Sequence, residues 1–195
     1  MGSILFIITY IIAALLYPGG SQAGNTSRGF SWLHNYWCNL LNVHAMNGAH
    51  NTARPVAITG LIILSVSLAT FWYQFSRVIK FSKTSQLLMQ VSGIISMFAV
   101  LFLFTSYHNI VINITVLLAS FALAGTFTGL YKLKWQKLFS MGILNLVLIG
   151  VNNFVYYTRE LIGYLPVVQK ITFLFFLGWV CLIAIKLYKL NIPPT

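Results

Sequence analysis

Six apolar runs, at 3–17, 55–75, 85–105, 110–131, 139–158 and 167–187, occupy the larger part of this chain. A helix must carry about 20 consecutive apolar residues to cross the hydrocarbon core of a bilayer, because the core is about 30 Å thick. Inside lipid a helix is also one of the few forms that bonds all of its own backbone groups. Five of the runs have that length and the first is shorter. The predicted fold class is therefore an all-α integral membrane protein: a six-helix transmembrane bundle in a single domain, 1–195, with a structured first loop at 18–54.

Composition closes off the alternatives. Only 7% of the residues are charged, against roughly 25% in soluble domains, so the chain lacks the side chains to cover a water-facing surface. Twelve Lys and Arg stand against one acid, Glu160. The cations fall in short clusters between apolar runs, the pattern of loops at an anionic membrane face, and nucleic acid is not expected as a partner. A single carboxylate also removes paired-acid catalysis and carboxylate-rich calcium or magnesium sites.

Orientation follows from the loop cations, which are retained on the cytoplasmic side. Arg77, Lys80, Lys83, Lys132, Lys134, Lys137, Lys186 and Lys189 fall on one side, and Arg28, Arg54, Arg159 and Lys170 on the other. Both termini are then cytoplasmic in an inner or plasma membrane, and the first loop is outside. The segment 1–23 has no basic n-region and is read as a retained helix rather than a cleaved signal; Phe6 breaks the myristoylation pattern that Gly2 begins.

Within the first loop, 29–43 reads GFSWLHNYWCNLLNV. Phe30, Leu33, Trp37, Leu40 and Leu41 recur near helical spacing, which predicts a helix lying at the outer interface with Trp32, Tyr36 and Trp37 in the headgroup layer. Pro55 suits the start of the second crossing. Cys38 in this loop and Cys181 deep in the last crossing lie too far apart for a bridge, so two free thiols are expected.

All four histidines (His34, His44, His50, His108) and Glu160 fall on the outer side of this topology. His34 and Cys38 are four apart, half of a zinc-type ligand set. The chain has neither a CxxC pair nor a His-Glu-x-x-His signature, and no metal or cofactor is assigned. In the fifth crossing Asn145, Asn152, Tyr156 and Glu160 step by seven, four and four along one helical face, and polar residues within a span face protein or water. Gly125 with Gly129, and Ser92 with Ser96, are small-xxx-small pairs that favour close helix packing. Asn25-Thr26-Ser27 is a formal glycosylation sequon.

The blocks GFSWLHNYWCNLL, NGAHNTARPVAITG and SGIISMFAVLFLFTSYHN together resemble a family of six-helix prokaryotic membrane proteins of unknown function, distantly similar to DRAM and Sfk-type proteins. The similarity runs through roughly the first four helices. It implies six helices, a folded outer first loop and an outer-facing His108. The chain departs from the pattern at Cys38-Asn39, where the family carries Ser-Asp, and at Thr105, where it carries Pro. Eukaryotic relatives are linked with lipid handling and membrane signalling, and the resemblance brings no catalytic mechanism.

The leading functional expectation is an outer-facing polar and aromatic cavity that binds a lipid or small amphiphile, lined by His34, Asn35, Trp37, His108, Asn152, Tyr156 and Glu160. The alternatives are a lipid-headgroup enzyme, metal-dependent or not, that uses the outer histidines, and a small-solute transporter. Membrane lipids are the expected partners, with a second copy or another membrane protein as a further candidate.

Overall fold

The computed structural model describes residues 1–79 and 81–190, the side chain of Asn109 excepted. Six α-helices follow the six runs: α1 Gly2–Leu15, α2 Arg54–Val78, α3 Lys83–Val100, α4 His108–Lys132, α5 Gln136–Tyr157 and α6 Leu165–Leu190. Four of them, α2, α4, α5 and α6, are long and apolar enough to cross a membrane. At 14 residues α1 reaches only about 21 Å. The 18 residues of α3 include Lys83, Gln86 and Gln90 near its start. Large apolar side chains stay exposed along the long helices, among them Val116, Leu117, Phe121, Val147 and Phe154. That is how a lipid-facing surface is composed.

The helix starts follow local chemistry. Pro55 and Pro166 each sit second in their helix, where a missing N–H breaks no intrahelical bond. Ser82 caps α3 by accepting the N–H of Ser85 at 3.2 Å. At the end of α4 the N–H of Trp135 reaches the carbonyl of Leu130 and the N–H of Lys134 reaches that of Tyr131, a Schellman closure.

Two compact units divide the chain, Met1–Ile63 with Leu144–Phe176 and Leu64–Ile143 with Leu177–Thr195. The first unit is built on α1 and the first loop. Gly60 lets α2 approach α1 closely, since a Cβ there would stand 2.4 Å from Oγ1 of Thr9. In the second unit α3 packs along α4. A Cβ at Gly125 would lie 2.8 Å from Sδ of Met89, and one at Gly129 2.3 Å from Cδ1 of Ile79, so this pair serves close packing as its spacing predicted. Trp179 donates its indole N–H to the carbonyl of Leu138 at 2.7 Å.

Three expectations are corrected. The fold is not purely α: an antiparallel hairpin, β1 Gly19–Ser21 and β2 Gly24–Arg28, opens the first loop. The helix expected over 29–43 is also absent, and only Trp37–Leu41 coils, as a short 3-10 turn. Asparagine side chains explain that outcome, because Oδ1 of Asn35 accepts the N–H of Ser31 and Oδ1 of Asn39 accepts that of Tyr36, drawing both donors away from a helical ladder. Finally, α3 does not continue to Thr105. Beyond Val100 the chain winds in tight turns held by Leu103 N–H to Val100 and Thr105 N–H to Phe102, and Oγ1 of Thr105 donates to Phe102. His108 therefore opens α4 rather than closing α3.

Candidate functional site

The first loop folds as a cap within the first unit, and its buried asparagines, Asn35, Asn39 and Asn51, are tied into one network. Asn51, fully buried, donates from Nδ2 to the carbonyls of Asn39 (3.1 Å), Leu40 (3.2 Å) and Asn42 (2.9 Å) and accepts the N–H of Ala53 (3.2 Å). Asn35, also fully buried, donates to the carbonyl of Gly20 at 2.9 Å and so fastens the hairpin to the middle of the loop. Gly20 has φ +79°, and a Cβ on it would fall 2.3 Å from the backbone nitrogen of Asn47, so only glycine fits there. Further anchors come from Thr52 Oγ1 to the carbonyl of Leu16 at 2.6 Å, Met46 N–H to the Tyr17 hydroxyl at 2.9 Å, and Arg54 Nε to the carbonyl of Leu41 at 3.0 Å.

Lys170, in the second turn of α6, joins this cap to a helix. Its side chain is buried, and Nζ donates to the carbonyl of Asn35 at 2.5 Å and to that of Pro166 at 2.9 Å, with the ring of Phe30 5.6 Å away. The only carboxylate side chain of the sequence, Glu160, is exposed on the turn after α5 and forms no ion pair with it. The ammonium is thus held by backbone dipoles and an aromatic face instead of a counter-ion.

An aromatic cluster seats the same loop. The Trp37 ring stands edge-on to Phe6 (5.8 Å), Tyr10 (5.6 Å) and Phe173 (5.4 Å), which fixes it between α1 and α6. Cys38 follows in sequence and is half-buried. Burial pushes its thiol above the ordinary range, against the opposing pull of the Cys38 and Asn39 backbone and the Lys170 ammonium. Tyr36 is raised as well, first by burial and then by Cys38 and Tyr156 nearby.

The residues expected to bind a ligand have differing surroundings. Asn35 and Trp37 are structural parts of the cap, committed to internal partners. His34, with Nδ1 3.1 Å from Oγ of Ser31, and Tyr156, stacked edge-on to Tyr157 at 5.0 Å, are exposed at its surface, and Asn152 is half-buried on α5. Glu160 does not continue the α5 stripe, because the helix ends at Tyr157 and the chain turns before reaching it. His108 belongs to the second unit. His44 and His50 pair through their backbones in an isolated bridge, both exposed. Among the described residues no three His, Cys, Asp or Glu side chains come together as a metal-ligand set.

Sequence reasoning missed Asn51 and the part played by Lys170. In sequence Lys170 counts only among the outer-side cations, although a lysine inside the run 167–187 is a costly placement and hence a signal of a specific partner. The chain matches no protein family, no curated protein and no solved structure.

Proposed function

We propose that this chain is a six-crossing membrane protein, with α1 and α3 completing the set begun by the four long helices, whose first-loop cap binds a lipid or similar amphiphile at its rim. One observation carries the reading. The buried asparagines of the cap, Asn35, Asn39 and Asn51, are spent on the protein itself, while its outer edge presents Trp32 (47% exposed) and Leu33 (62%) beside His34. Apolar side chains on a rigid, polar-cored loop are a contact surface for acyl chains or the upper part of a lipid, and an imidazole beside them supplies a hydrogen bond to a headgroup. Tyr156, exposed on α5 in the same unit, is a further aromatic for this surface. The eight-to-four division of cations supports an orientation with the cap outside and both termini cytoplasmic.

Full-length protein in bilayers containing a photoactivatable phospholipid tests the binding. Replacing Trp32 and Leu33 together by Ser should reduce labelling of the cap peptides several-fold and leave labelling of the α4 peptides unchanged. Equal labelling of the two proteins would reject the rim as the binding surface.

A further inference from the structure

The second unit carries seven described cations, Arg77, Lys83, Lys132, Lys134, Lys137, Lys186 and Lys189, all exposed, and its sequence contains no Asp or Glu. Packing brings several of them to one end. Nζ of Lys132 lies 4.9 Å from the centre of the Phe81 ring, joining the end of α4 to the turn before α3, and Nζ of Lys186 lies 4.5 Å from that of Trp135, joining α6 to the turn before α5. Arg77 lies 5.3 Å from the centre of the Tyr73 ring. Aromatic faces attract the charged form of these side chains. Tyr131 and Tyr188, 75% and 69% exposed, flank the cluster as interfacial aromatics do.

Helix electrostatics explain only part of this arrangement. Arg77, Lys132 and Lys189 stand in the last turns of α2, α4 and α6, where the negative end of the helix dipole favours a cation. Lys83 and Lys137 stand in the first turns of α3 and α5, where the same dipole opposes them, and neither helix has an acid there. Lys134 occupies the left-handed position of the Schellman turn at φ +55°, where glycine is free of strain and a side chain is not. Three of the seven positions therefore hold a lysine against the local preference of the fold.

We propose that this end of the second unit binds acidic phospholipid headgroups of the adjoining leaflet, with Lys132, Lys134 and Lys137 around the α4–α5 turn as the principal phosphate contacts. The strain at Lys134 and the opposing dipole at Lys137 are offset when a phosphate approaches, which a positive surface serving orientation alone would not require. This inference is independent of the cap, which lies in the first unit.

The test uses full-length protein in nanodiscs of phosphatidylcholine with about one-quarter phosphatidylglycerol, a composition that sets a negative surface potential. Native mass spectrometry after release counts the lipid retained. Wild-type protein should retain phosphatidylglycerol preferentially, and Lys134→Gly should lower that retention about fivefold while raising thermal stability, a pair of opposite effects that a purely structural lysine cannot give. Gln at Lys132, Lys134 and Lys137 together should abolish the preference, and Gln at Arg28 and Arg159, exposed cations of the first unit, should leave it intact. Retention without preference, equal loss in the Arg28/Arg159 variant, or full displacement of phosphatidylglycerol by millimolar inorganic phosphate would each overturn the proposal.

Discussion

The ammonium of Lys170 donates to the backbone carbonyl of Asn35, 135 positions earlier in the chain, so one buried cation fastens the first loop to α6. Lys170→Met keeps much of the apolar stem and removes the donor, leaving the Asn35 carbonyl buried without it. A buried acceptor stranded in this way costs about 1–3 kcal/mol. For a chain of this size that lowers the thermal midpoint by about 3–10 °C. Thermal unfolding in detergent should show the loss, together with faster proteolysis within 18–54. An unchanged midpoint and an unchanged digestion pattern would show that the bond does not hold the cap.

Asn51 should be the most sensitive side chain of the loop, because one amide group serves three carbonyls and one N–H. Asn51→Ala is expected to cost about 2–4 kcal/mol, since several buried groups lose partners at once. Asn51→Asp should be worse, placing a carboxylate oxygen where the amide N–H₂ met carbonyls. Denaturation midpoints of the two variants give the ranking, and Asp tolerated better than Ala would contradict it.

These two residues also mark what the sequence made legible. The helices were readable because apolar length is set by the bilayer, and all six lie within a few residues of their runs. The loop was not, because its apolar spacing suits a helix while its asparagines bond to the local backbone in competing ways, and periodicity does not report such bonds. For the same reason Glu160 extended the α5 stripe in sequence but not in space, since a turn after Tyr157 breaks the four-residue step. In the cap, Asn35 and Trp37 were expected as ligand contacts, because their partners Gly20, Lys170 and Phe6 lie at a distance in sequence that periodicity does not report.

Cys38 should react slowly. Its thiol lies above the ordinary range because burial disfavours the thiolate, so the folded protein keeps it protonated at pH values where the unfolded chain has begun to ionise. Alkylation of the Cys181→Ser variant should rise with pH later when folded than when unfolded in sodium dodecyl sulfate. Coincident pH profiles would show that Cys38 is not shielded.

In the second unit Gly129 tolerates no side chain at the crossing with α2, where a Cβ would stand 2.6 Å from the Phe75 ring. Gly129→Leu should overpack this contact and cost about 1–3 kcal/mol or more. Gly150, with no atom within 4 Å of a Cβ, should accept Ala with little change. Paired thermal midpoints measure the contrast, and equal effects at the two sites would refute it.

The most direct measurement of the central claim is residue-level mapping of a photoactivatable phospholipid crosslinked to full-length protein in a bilayer. Crosslinks on the cap rim, at Trp32 and Leu33 and on to Tyr156, that disappear when the rim pair is changed to Ser are the predicted result. Crosslinks confined to the exposed faces of α2, α4, α5 and α6, with the cap peptides at background, would contradict it.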